Sequence, residues 1–204
     1  TWRNWWDFGT GLIGDLGCHK LSTVFKALKL TYPVGVQASS TKFDSEIYPR
    51  GEILRYQFPA RGDMPPVKLT WYDGKLMPRK VAGEKVPGSG VMFIGSEGMM
   101  FANYGSYRLF PSDKFTGYQP PEPTIPRSIG HHAEWIKACK DGSPTTCNFD
   151  YSGSLTETGN IGMVVLVMAE ENVRMQLQHP AVMFCTDGLG VSVDGMLARG
   201  LMHP

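Results

Sequence analysis

The sequence predicts an α+β fold, a largely antiparallel open sheet with helices packed on one face. Three observations carry that prediction. Short runs of alternating polarity recur between turn signals. Two stretches have the apolar spacing of amphipathic helices. Glycine (24) and proline (15) are abundant for 204 residues, which favours strands and loops over a helical bundle.

The first helix runs from about Gly11 to Leu30, with Leu12, Ile13, Leu16, Leu21, Val24, Phe25 and Leu28 forming its apolar stripe. Tyr32 to Ala38 reads as a strand begun through Pro33. Glu52 to Phe58 and Pro66 to Tyr72 alternate as strands, the second closed by the turn pair Asp73-Gly74. Residues 75–90 read as a loop rich in Gly, Pro and Lys. Val91–Ile94 and Met99–Ala102 flank Gly95-Ser-Glu-Gly98 as a hairpin, and Tyr107–Phe110 adds one more strand. Residues 111–127 are a proline-rich connector. Ser128 precedes a helix over His131–Lys140 that Asp141-Gly142 ends. Cys147–Ser154 reads as a loop, with Ser154 or Thr156 capping the next helix.

Within the first helix, Asp15, His19, Ser22 and Lys26 fall at steps of four, three and four and form one polar row. A carboxylate one turn before an imidazole can orient it and suit it to general acid–base work. Spacing alone equally describes an ordinary surface pair. The preceding run Gly9-Thr-Gly-Leu-Ile-Gly14 fits the G-x-G-x-x-G phosphate-binding pattern. Its context does not: Trp2 to Phe8 is a polar–aromatic turn instead of an apolar strand, and no acid lies among Pro33, Val34 and Gly35, about 20 residues on. The glycines read as a turn into the helix.

Bulk properties narrow the function classes. A net charge of +1 gives no footprint for nucleic acid or anionic membranes. The most apolar run, Ile161–Ala169, is far short of the roughly 18–20 residues of a membrane span. Cys18, Cys139, Cys147 and Cys185 form no C-x-x-C pair and no zinc-like cluster. Cytoplasmic and periplasmic locations both fit. The chain opens at Thr1 on an aromatic turn, the start expected of a protein whose natural beginning lies upstream.

The stretches WRNWWDFGTGLIGDLGCHKL, ILRYQFPARGDMPPVKLTWYDG, FIGSEG and HHAEWIKACKDGSPTTCNFDYSG together resemble the substrate-side, C-terminal domain of the bacterial Gfo/Idh/MocA oxidoreductases, over about residues 1–160. The family pattern G-x-x-x-D-x-G-x-H-x-L matches Gly11, Asp15, Gly17, His19 and Leu21. The resemblance implies an NAD(P)-dependent oxidoreductase acting on a sugar or polyol hydroxyl. His19 would be the general base, Asp15 would orient it or bind substrate, and Arg3, Trp5 and Trp6 would line the site. Ser22 stands where the family commonly has an acid. No Rossmann domain is expected in this chain, so NAD or NADP would not bind it alone and activity would need another domain.

The last residues depart from that pattern. MAEENVRMQLQHPAVMFCTDGL, within about residues 165–204, is similar to the late region of D-aminoacylases of the amidohydrolase superfamily. That resemblance implies a metal-site role for Asp187 in a zinc-dependent N-acyl-D-amino-acid deacylase, but the superfamily's histidine ligands have no counterpart here. His179 and His203 read as inert. The expected organisation is therefore composite, an oxidoreductase-like domain over 1–163 and a deacylase-like tail over 164–204. A third reading is a non-catalytic sheet domain that forms a homo-oligomer through its open face.

Overall fold

A computed structural model describes residues 2–43 and 45–167, with side chains of the last helix described as far as residue 159. The tail beyond residue 167, with Asp187, His179, His203 and Cys185, lies outside the described residues. So does the tail's proposed last strand.

Among the described residues the architecture is mixed α+β, with three α-helices and the open antiparallel strands arranged in three sheets. Helix α1 (Gly11–Leu28) comes first. Strands β1 (Gly35–Ser40), β2 (Glu52–Phe58) and β3 (Val67–Tyr72) form a sheet in sequence order. A two-stranded ribbon, β4 (Lys80–Val81) and β5 (Glu84–Lys85), follows. Strands β6 (Val91–Ile94), β7 (Met99–Asn103) and β8 (Ser106–Phe110) form the third sheet. Helices α2 (His131–Asp141) and α3 (Phe149–Val167) close the described chain.

The main core lies between α1 and the inner face of β1–β3. Strand β2 alternates strictly, burying Glu52, Leu54, Tyr56 and Phe58 and exposing Arg55 and Gln57. Across it, Leu54 pairs with Ala38 and Trp71, and Tyr56 pairs with Val36 and Leu69. Helix α1 answers with Ile13, Leu21, Val24 and Phe25, and α3 adds Leu155. Phe25 meets Phe58 edge to face, with ring centroids 5.7 Å apart at 89°. A smaller cluster of Met99, Phe101 and Phe110 serves the third sheet.

Local chemistry ends α1. Lys29 turns left-handed (φ 48°), and its N–H and that of Leu30 both donate to the Phe25 carbonyl. The Arg61 guanidinium completes the cap, Nε donating to the Leu28 carbonyl at 2.8 Å. Its Nη1 donates to the carbonyls of Pro59 and Pro65, which ties the β2–β3 connection to the helix end.

Several boundaries refine the sequence reading. Pairing with β2 carries β1 on to Ser40, past the apolar run that suggested it. The 75–90 loop contains β4 and β5, joined through Ala82 and Gly83, both at positive φ as a tight hairpin turn needs. Ser128 precedes α2 as expected, its hydroxyl accepting from the Gly130 N–H, and Gly130 leads into the helix. Helix α3 begins within the stretch read as a loop. Asn148 starts it, its Oδ1 accepting from the Tyr151 N–H at 2.9 Å. Ser154 and Thr158 are inside the helix, their hydroxyls donating back to the carbonyls of Tyr151 and Ser154.

Truncating Phe25 or Leu54, exposed by only 1% and 0%, should cost about 3–5 kcal/mol of stability. Leu16→Ala, at a position 38% exposed on the same helix, should cost well under that. Urea unfolding followed by circular dichroism distinguishes the two outcomes.

Candidate functional site

The glycine run before α1 is explained by close packing. A Cβ on Gly9 would lie 2.3 Å from the Arg3 carbonyl oxygen, and one on Gly11 (φ +66°) would lie 2.6 Å from the Tyr48 ring. These glycines let a short 3-10 turn, Trp2–Asn4, and the Tyr48 ring press against the start of the helix. The space that a bound phosphate would need over the glycines is taken by the chain itself.

The polar row on α1 is present, but its members meet different partners. Asp15 is half-buried and its Oδ2 lies 2.7 Å from Arg3 Nη1. The contact is close but poorly aligned, because neither Asp15 Oδ2 nor the buried Arg3 Nε has a well-formed hydrogen bond. Ser22 and Tyr151 share a hydroxyl–hydroxyl bond of 2.7 Å, and the Tyr151 hydroxyl reaches the Ser22 carbonyl at 2.9 Å. Lys26 Nζ sits 5.1 Å from the centre of the Tyr151 ring. His19 is exposed and borders a shallow cleft of about 20 Å³ with Lys20, Thr23, Val91, Asn103 and Tyr104. No hydrogen bond joins Asp15 to His19, so the carboxylate that could orient the imidazole is committed to Arg3. Of the aromatic residues singled out, Trp5 is 43% exposed, whereas Trp6 stacks on Tyr48 with ring centroids 3.7 Å apart.

A second centre lies at the first turn of α1. A cavity of about 560 Å³ opens between the helix's first turn, Lys42 and Phe43, residues 47–50, and the β2 and β3 ends. Glu52 and Asp73 line it. Glu52 is 2% exposed, and neither of its carboxyl oxygens has a well-formed hydrogen bond. The Ile13 N–H, in the unpaired first turn of α1, and the Asp73 carboxylate both approach it. Asp73 is better satisfied. Its Oδ1 accepts from the Glu52 N–H at 2.8 Å and its Oδ2 from Trp71 Nε1 at 2.9 Å. Burial, then the Asp73 charge, push the Glu52 carboxyl up to about 8, so Glu52 keeps its proton at neutral pH. The buried phenols of Tyr48 and Tyr56 are pushed up as well, by burial first and by Glu52 second.

Residue chemistry alone did not single out Glu52, Tyr48 or Asp73. The signal was nevertheless in the alternation of β2, whose period-two pattern sets Glu52 on the same face as Leu54, Tyr56 and Phe58. Among the described residues no group of three or more His, Cys, Asp or Glu side chains could hold a metal ion. No described helix is long and apolar enough to cross a membrane. Cys18, Cys139 and Cys147 are exposed free thiols. No protein-family model and no curated protein matches the chain.

The raised pKa of Glu52 makes stability depend on pH. The folded state holds this proton more tightly than the unfolded chain does. The stabilisation is therefore complete below about pH 4.5 and is lost as pH rises towards 8. Glu52→Gln removes that loss. Its stability relative to the native chain should improve by on the order of 1–3 kcal/mol between pH 5 and pH 8, read from denaturant midpoints at each pH.

Proposed function

We propose that residues 1–163 are the substrate-side half of a Gfo/Idh/MocA-type oxidoreductase acting on a sugar or polyol hydroxyl. One observation carries the reading: Asp15, 2.7 Å from Arg3, stands one helical turn before a solvent-open His19, and Trp5 in the turn ahead of the helix is 43% exposed. Aromatic faces suit the C–H faces of sugars, and an exposed imidazole is open to a substrate hydroxyl. In this reading His19 takes the hydroxyl proton as the carbon is oxidised. Arg3 and Asp15 hold the helix start and offer hydrogen bonds to neighbouring hydroxyls.

The described residues do not fit a nicotinamide dinucleotide. Their sheets are all antiparallel, and the glycines before α1 are filled by the Arg3 backbone and the Tyr48 ring. NAD or NADP therefore belongs to a different domain or chain in this proposal, and the described residues alone are inactive. The outer face of β1–β3, with Arg55, Gln57, Lys68 and Thr70 exposed, stays open, and a homo-oligomer through the sheet face forms part of the same reading. Asp187, on which the deacylase reading turns, lies outside the described residues.

The test joins the chain to a dinucleotide-binding domain and follows NAD(P)H formation with glucose and sorbitol. Activity should appear, and His19→Ala should lower it by about 10²–10⁴-fold. Undiminished turnover in that variant overturns the role of His19. Light scattering of the native chain reads the oligomer, and a monomer counts against that part.

A further inference from the structure

We propose that Lys20 makes the His19 face selective for a sugar acid, holding the substrate's carboxylate in the recess between α1 and the turn from β7 to β8. The sugar part of this proposal rests on the oxidoreductase reading; the carboxylate part rests on the geometry around Lys20.

Lys20 is a half-buried cation whose charge is not neutralised. Among the described residues it forms no ion pair. Its Nζ lies 4.3 Å from the centre of the Tyr104 ring and 3.4 Å from Asn103 Oδ1. Both partners are neutral, and 3.4 Å is long for an N–H···O bond. An ammonium carries three donors, so most of its donor capacity is left over. The ring and the amide thus position the ammonium without cancelling its charge. A carboxylate completes it, because a bond between two ionised groups is roughly twice as strong as one between neutral groups.

The surroundings select the anion. Lys20 shares the recess with His19, Thr23, Asn103 and Tyr104, and no carboxylate lines it. The acid of the polar row, Asp15, is held by Arg3. The recess has a volume of about 20 Å³, little more than the roughly 10–15 Å³ that one water needs. It takes one small polar group and leaves the rest of a sugar on the open surface, where Tyr104 is 75% exposed. A single ammonium matches the single charge of a carboxylate better than the double charge of a phosphate. Asn103 Oδ1 also accepts from the Tyr104 N–H at 2.9 Å, so the Nδ2 end of the amide is left for a ligand. That donor and the exposed Thr23 hydroxyl suit the hydroxyl groups of a sugar. His19 borders the same recess, so a carboxylate held there brings the hydroxyl-bearing carbons to the imidazole.

Titration of the full chain with glucuronate, glucuronamide and glucose at low ionic strength, followed by amide chemical shifts, tests the proposal. Glucuronate should bind saturably and shift the amides of Lys20, Asn103 and Tyr104. Glucuronamide and glucose, which lack the carboxylate, should each bind at least ~10-fold more weakly. Lys20→Gln should lower glucuronate to the affinity of glucuronamide and leave glucuronamide unchanged. Equal affinity for glucuronate and glucuronamide overturns the proposal, as does the absence of a saturable shift up to ~10 mM glucuronate. Both of those outcomes are read on the unaltered chain, so the decision does not depend on whether a variant folds. Binding needs neither cofactor nor turnover, so the two readings fail separately. Turnover undiminished by His19→Ala, with glucuronate still preferred, faults the oxidoreductase reading alone. Glucose turnover that His19→Ala abolishes, beside equal affinities for the acid and its amide, faults the carboxylate site alone.

Discussion

The contact between α1 and the inner face of β2 is the constraint on which the described structure depends. Leu54, Tyr56 and Phe58 present one apolar stripe, and Ile13, Val24 and Phe25 cover it. Each side chain removed from water there contributes roughly 1.5–3 kcal/mol before entropy is charged against it. Once that face is fixed, the helix start, its glycines and the Tyr48 ring have only one close arrangement. Arg61 fixes the opposite end by bonding the Leu28 carbonyl. Both candidate centres flank this one helix, so both inherit their rigidity from its packing.

The two centres differ in electrostatic character. Around Asp15 the charge is compensated locally by Arg3, both side chains remain partly wet, and screening keeps the pair modest in energy. Around Glu52 the carboxyl is dry and has no salt-bridge partner, and the group responds by holding its proton. The first centre is poised by exposure and the second by burial.

Much of this was legible in the sequence, for identifiable reasons. Helix α1 and strands β2 and β3 were readable because burial on one face imposes periodicity, and that face is covered here. The β4–β5 ribbon was not, since two residues per strand leave no period and the signal is only the left-handed Ala82-Gly83 turn. The start of α3 was misplaced because Ser and Gly residues at 152–154 look like a loop, while the decisive group is the Asn148 side chain. At the site, the Asp15–His19 spacing was legible, but the Arg3 turn that claims Asp15 folds back through Gly9, a tertiary event with no period of its own. The Glu52 cavity needs Tyr48, Asp73 and α1 brought together from separate parts of the chain, so its parts were visible and its assembly was not.

The register of β2 has a consequence for how such a chain can change. Residue 52 points inward because 54, 56 and 58 do, whatever its own chemistry. The strand pattern thus separates the choice of fold from the choice of cavity floor. A single codon at position 52 could turn an acidic floor into an amide or an apolar one while the neighbouring core residues keep the same pairing. The strand thus holds a buried position whose chemistry can change while the pairing around it stays the same.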